Sequence, residues 1–204
     1  WMKQVFKQKG SASSDISKRG FAPENDRYEF GSTGMKKFPL PSNWRTSKTL
    51  QLLSCRLVDL ARAREAIRPV SILAEWSKSG SDDLHELIRS AEQKTSDIER
   101  EMYAAQEDLD WVVYGLYGLA PMPSDSSYAS AIEMEQRPFC WSDGAPLKPI
   151  ADDIAARLYP LRRAAIEAGG AVSAIETPVF KRLWRGRQGV FGRYDRTYVD
   201  HVRR

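Results

Sequence analysis

The side chains best suited to chemistry are few in this chain of 204 residues: two histidines, His85 and His201, and two cysteines, Cys55 and Cys140. His85 opens "HEL" (85–87), which lacks the second histidine that a helical zinc site needs four residues further on. Cys55 and Cys140 are not spaced as a zinc-binding pair. A serine–histidine triad would have to draw on one of these two histidines, and His85, between Leu84 and Glu86, reads as a solvated surface residue. No phosphate-binding G-x-x-x-x-G-K-[ST] loop occurs. Asp82, Asp83, Glu92 and Lys94 superficially resemble the carboxylate-and-lysine set of a metal-dependent nuclease. That chemistry needs strands that converge acids on one Mg²⁺, whereas here the four residues lie along one helical stretch as its solvated face. The expectation is a chain with no catalytic centre of its own, no bound cofactor and no metal.

Binding chemistry is better represented. "VFKRLWRGRQGVFGRYDRTY" (179–198) interleaves Lys181, Arg182, Arg185, Arg187, Arg193 and Arg196 with Phe180, Trp184, Phe191, Tyr194 and Tyr198. Arginines neutralise phosphates or read guanine edges, and aromatic rings stack on exposed bases. Gly186, Gly189 and Gly192 let the backbone approach a phosphate closely. The plainer reading makes the rings core and the arginines a solvated rim. Near the other end, Lys36 and Lys37 in "GMKKF" (34–38) suit backbone phosphates, or simply a soluble turn. The candidate DNA-binding residues are therefore Lys36, Lys37, Lys181, Arg182, Trp184, Arg185, Arg187 and Arg193.

The overall net charge of +4 hides a segregation that bears on this reading. Residues 1–68 carry a net +8, residues 69–140 a net −9 and residues 141–204 a net +5. Two basic blocks able to attract a polyanion flank an acidic middle that would repel one. Two cysteines are too few for a disulfide framework, and no signal peptide or membrane-spanning run is visible, so a cytoplasmic protein is expected. A start at Trp1 and an end at "DHVRR" suggest a piece of a longer protein.

The elements that must position these groups can be read from periodicity. "WMKQVFKQK" (1–9) and "RYEF" (27–30) read as short strands joined by a flexible Ser/Gly-rich loop, and "RPFCW" (137–141) as a short strand or extended packing segment. After Pro41, Leu50, Leu53, Leu57, Leu60 and Ile67 follow a helical period, with Arg64 in a skipped apolar slot, Thr46 or Ser47 as cap and Pro69 as the end. "PVSILAEWSKSG" (69–80) then reads as a short connection leading to a second cap at Ser81. From Leu84 through Ile88, Ala91, Thr95, Ile98, Met102, Ala105, Leu109 and Val112 to Leu116, steps of four and three alternate without a break. That heptad seam predicts a helix of roughly 50 Å, stopped near Gly118 and paired in an antiparallel hairpin. Glu86, Arg89, Glu92, Lys94, Asp97, Glu99 and Arg100 are expected on its solvent side. A last amphipathic helix over 148–168 would present Ile150, Ile154, Leu158, Leu161 and Ile166 on one face, with a kink at Pro160 and a stop at Gly169 and Gly170.

Three stretches, taken in order, resemble the large adenine-specific DNA methyltransferases of bacteriophage-exclusion (BREX/Pgl) systems and related fused restriction-modification enzymes. "YEFGSTGMKKFPLP" (28–41) is similar to the end of their target-recognition part, "LDWVVYGLYGL" (109–119) to a segment that follows it, and "ETPVFKRLW" (176–184) to a run in their C-terminal region. The Asn-Pro-Pro-aromatic loop that holds a flipped adenine is missing here, since neither Asn25 nor Asn43 precedes Pro-Pro. The resemblance therefore implies that this loop and the S-adenosylmethionine pocket lie in a separate N-terminal methyltransferase domain. It further implies a role in positioning double-stranded DNA for adenine-N6 methylation, with other defence proteins as further partners.

The expected fold is mainly α with a small β element: a β tail over 1–41, a helical hairpin over 42–119, and a mixed, mostly helical region over 120–204. In the opening stretch, Lys36 and Lys37 sit beside DNA while Pro39 and Pro41 end strand pairing and lead the chain into the helical arm. The competing reading is a helical-hairpin adaptor that binds proteins only.

Overall fold

A serine hydroxyl fixes where the first helix begins. Ser47 Oγ accepts from the Leu50 amide at 3.2 Å, one of the first-turn N–H groups that a helix leaves unpaired, and α1 runs Lys48–Ala66. Of the two cap candidates Ser47 is the one used, while the Thr46 hydroxyl donates to the Asn43 carbonyl instead. The computed structural model describes residues 36, 39–79, 83–121, 127–141 and 148–176. The protein is mainly helical, and no strand occurs among the described residues. The β element expected over 1–9 and 27–30 lies outside them.

Pro69 does more than end α1. It opens a second helix, α2 (Pro69–Ser79), so the stretch expected to be a bare connection is helical. The physical reason is that proline at the first helical position surrenders an N–H that would be unpaired there anyway. Ile72 then gives this helix a buried foothold. The third helix, α3 (Leu84–Leu116), is capped by Asp83, whose carboxylate accepts from the Glu86 amide at 2.9 Å. Ser81, the cap expected from the sequence, lies outside the described residues. At ~1.5 Å per residue, 33 residues give the expected length of roughly 50 Å.

α1 packs along α3 in antiparallel fashion. Pro39, ahead of α1, meets Tyr117 at the end of α3, whereas Arg64 near the end of α1 meets Glu99 in its middle. Leu53 is the best-buried residue of α1, and Ile88, Ala91, Met102, Ala105 and Val112 are buried along the expected seam of α3. Arg64, in the skipped apolar slot, makes a 2.5 Å ion pair with Glu99. Glu99 is therefore half-buried rather than solvated, and so are Glu92 and Arg100, the latter facing Glu133. Glu86, Arg89, Lys94 and Asp97 are exposed as expected.

From Ala104 onward the simple seam no longer describes α3. Ala104, Glu107, Asp108, Trp111 and Tyr114 are buried as well, because a second layer covers the opposite face. That layer consists of an irregular segment over 127–133, two 3-10 turns (Met134–Gln136 and Pro138–Cys140), α4 (Asp153–Glu167) and the short α5 (Ala171–Ile175). "RPFCW" (137–141) thus holds the second of these tight turns, Pro138–Cys140, and is not a strand. Pro138 sits at the first position of the second turn, and Arg137, Pro138, Phe139 and Trp141 are buried. α4 continues through Pro160 and buries Ala155, Tyr159, Arg162 and Ile166. The expected face was wrong in part, since Leu161 is 65% exposed. The face rotates because the Tyr159 ring and the Arg162 guanidinium find partners in the layer below, which hydropathy alone does not register.

α3 stops as its glycines suggest. Gly118 has φ +67°, a left-handed conformation that costs a glycine little. The Leu119 amide donates to the Tyr114 carbonyl at 2.8 Å and the Gly118 amide to the Gly115 carbonyl at 3.0 Å, the pair of bonds that closes a Schellman-type end.

Candidate functional site

The second layer is fastened to α3 by charge as much as by apolar burial. Glu107 is fully buried and Asp108 nearly so, and both would be costly there without partners. Arg137 Nε donates to Glu107 Oε2 at 2.7 Å and its terminal nitrogen to Asp110 Oδ2 at 2.8 Å, so one guanidinium bridges two carboxylates one helical turn apart. Arg162 of α4 donates to Asp108 at 2.7 Å and lies 3.8 Å from Glu107. The remaining Glu107 oxygen accepts from the Trp111 indole at 2.8 Å, and the second Asp108 oxygen from the Ala129 amide at 3.0 Å.

Aromatic faces complete the cluster. The Arg162 guanidinium lies 5.2 Å from the Tyr159 ring and 5.6 Å from the Trp111 ring, and Arg137 lies 5.1 Å from Phe139, all within cation–π range. Trp111 meets Tyr114 edge-on at 5.7 Å, and the Tyr114 hydroxyl donates to the Glu176 carboxylate. Burial pushes the Asp108 carboxyl above its ordinary range, with Arg162 pulling the other way. Burial would loosen the Arg137 proton, but Glu107 and Asp110 outweigh it and hold the guanidinium charged. Burial and the surrounding carboxylates drive the Tyr114 hydroxyl far above the range in which it could ionise. These groups are locked donors and acceptors, suited to holding elements in register rather than to exchanging protons with a substrate.

The segment over 127–133 is strapped down on both sides. Arg56 of α1 donates to the Ala129 and Ser130 carbonyls at 3.3 and 2.8 Å, and Asp152, the cap of α4, accepts from the Ser130 amide and hydroxyl at 2.8 and 2.6 Å. Partial burial raises the Asp152 carboxyl, but bonds from Ser130 and from the Ala155 amide more than offset this and hold it below the usual 3.8. A folded-state value below the unfolded one gives stability that is present above about pH 4 and is lost as pH falls through the folded value. Asp152→Ala is therefore expected to cost about 1 kcal/mol at pH 7, a typical value for loss of a capping group. Chemical denaturation at pH 7, 4 and 3 should show that gap narrowing toward pH 3, and a constant gap would refute the assignment.

Of the sequence-predicted DNA-binding residues, Lys36 is described, and it is exposed. Lys37, Lys181, Arg182, Trp184, Arg185, Arg187 and Arg193 lie outside the described residues. His85 is exposed, in keeping with a surface role, and no cluster of metal-ligating side chains occurs among the described residues. The buried quartet of Glu107, Asp108, Arg137 and Arg162 went unread in the sequence. Its one signal was the interruption of apolar patterns by charge, two acids inside a heptad helix and an arginine on the inner side of an amphipathic one.

Described residues from each of the three sequence motifs meet at one end of α3. The Tyr117 hydroxyl, from the second motif, donates to the carbonyl of Pro39 in the first at 2.7 Å, and Tyr114 reaches Glu176, which opens the third. The chain is similar to an adenine-specific methyltransferase. It is 28% identical over 213 aligned positions to the adenine-specific methyltransferase PglX of Streptomyces coelicolor, a match that takes in 90% of this chain. The resemblance to PglX-type enzymes read from the motifs is thereby shown. The match spans 17% of the length of PglX. No family model and no solved structure matches the chain.

Proposed function

We propose that this chain is a non-catalytic part of an adenine-N6 DNA methyltransferase in phage defence or restriction-modification, where it helps to recognise and position double-stranded DNA. The observation that carries the reading is the similarity to PglX over nine-tenths of the chain. Two basic blocks at the ends of the sequence support a polyanionic partner, and the acidic middle serves as a strut. No helix among the described residues is long and apolar enough to cross a membrane.

Methyl transfer would belong to a separate methyltransferase domain, which would bind S-adenosylmethionine and take the target base out of the stack. The groove on α2 does not fit that cofactor. The groove beside Ser71, Ala74, Glu75 and Lys78, of about 540 Å³, is open and is lined by one face of α2. Cofactor sites are more enclosed, with several elements converging on the ligand.

Duplex binding tests the reading. Affinity should fall steeply with salt, with a slope in log–log form of roughly 0.9 per phosphate neutralised. Arg182→Ala with Arg185→Ala should weaken binding at least about tenfold and lower that slope by roughly 1.8. Arg89→Ala with Lys94→Ala, both on the exposed acidic side of α3, should change it less than about twofold. Gel-shift titrations at two salt concentrations check this. Equal effects of the two pairs would overturn the assignment, and a chain that binds no duplex at low salt would favour the protein-only adaptor.

A further inference from the structure

The outward face of α1 carries a repeat of its own. Lys48, Gln51, Cys55, Val58, Arg62 and Glu65 follow alternating steps of three and four, and every one is exposed. Each stands two residues before a member of the inner series, which runs from Leu50 to Ile67 on the side that packs against α3. Two residues turn a helix by ~200°, so the two series lie on opposite faces. The inner seam is covered by α3 and the outer one faces solvent. The middle of the outer seam is apolar. Val58 is 48% exposed, Leu52 beside the seam is 58% exposed, and Cys55 is exposed between them. Scattered apolar residues are ordinary on a surface, whereas three within two turns of one helix face form a strip.

The charges on this strip identify its partner. When the series is reversed about the midpoint between Arg56 and Leu57, Lys48 meets Glu65, Gln51 meets Arg62 and Cys55 meets Val58. A parallel pairing in register would instead set Lys48, Arg62 and Glu65 each against its own like charge. Arg62 and Glu65 pair within α1 and its end, with Asp59 and Arg68, but such exposed pairs three residues apart are weak and exchange at little cost. We infer that the outer seam of α1 is a self-association surface, on which a second copy of this chain docks its own α1 antiparallel about a two-fold axis. The pairing stands apart from the DNA-binding reading. A two-fold contact is self-complementary, so each favourable pair in it occurs twice. With 19 residues α1 is about 28 Å long and offers a single strip, at the low end of interface sizes, so the dimer is weak and reversible.

Sedimentation velocity on the whole chain, over about a hundredfold range of concentration, tests this, because such a dimer grows by mass action. The expected result is a reversible monomer–dimer equilibrium. Val58→Glu should weaken it at least about tenfold, since the two-fold buries the new charge in the contact twice. The unfolding midpoint of that variant should match the parent's, as the side chain it replaces is exposed in the monomer. Lys48→Glu should weaken the dimer about three- to tenfold, and adding Glu65→Lys should return it to within about twofold of the parent. Both changes suit the helix ends they occupy, where an acid at the start and a base at the end favour the dipole. After mild oxidation, Val58→Cys should give a covalent dimer on a non-reducing gel through Cys55 of the second copy. Association unaffected by Val58→Glu, or a charge swap that fails to restore what Lys48→Glu lost, would overturn the proposal. A chain that stays monomeric throughout would overturn it too, and would leave the seam to a different protein partner.

Discussion

Arg137→Met should destabilise the protein by about 3–5 kcal/mol, the usual cost of removing one partner from a buried ion pair. Arg137 is 3% exposed and satisfies two carboxylates at once. Without it Glu107, fully buried, retains the Trp111 indole and an Arg162 guanidinium 3.8 Å away. Against a total of roughly 5–15 kcal/mol for a domain, that loss is large enough to empty much of the native state. Arg137→Lys should recover less than half of it, because an ammonium is a single point charge and cannot fork between Glu107 and Asp110. Glu107→Gln added to Arg137→Met should restore part of the stability by removing the stranded charge. Denaturant midpoints measured by circular dichroism would decide, and an Arg137→Met variant within about 0.5 kcal/mol of the parent would show the cluster to be dispensable.

Phe139→Ala should cost about 3–5 kcal/mol by a different route. Its ring is 1% exposed and packs with Trp111, Tyr114, Ile166 and Val172, so truncation leaves a cavity where α3, α4 and α5 meet. It also removes the ring face beneath Arg137, so the two substitutions should not be additive when combined. The contrast is Leu161→Ala, equally apolar in sequence but 65% exposed, which should stay within about 0.5 kcal/mol of the parent. Thermal or chemical unfolding of both variants distinguishes the observed inner face of α4 from the one its hydropathy suggests. A larger loss for Leu161→Ala would refute the observed face.

How far each element was legible follows from what holds it. α1 and α3 were readable because a helix that packs against one partner repeats its apolar residues every three or four positions, and the Ser47 cap of α1 and the glycine stop of α3 act locally. α2 was missed because its pattern is short and its opening proline reads equally well as a terminator. "RPFCW" has the composition of a strand, but no neighbouring strand among the described residues offers it a ladder, and Pro138 lacks an N–H to give one. The face of α4 was misjudged because a buried arginine counts against burial on any hydropathy scale. Its partner Asp108 lies 54 residues away in sequence, beyond what periodicity can register.

The sequence by itself determined the helical class, the length and C-terminal stop of α3, the segregation of charge and the likeness to adenine-specific methyltransferases. All of these depend on near neighbours or on motif order. Tertiary structure alone decided that Glu107, Asp108, Arg137 and Arg162 form one buried cluster, and that Pro39 and Glu176 both meet the C-terminal end of α3. A charge inside an apolar pattern becomes tolerable only when a distant opposite charge is folded onto it, and such pairings are made in space and leave no period along the chain.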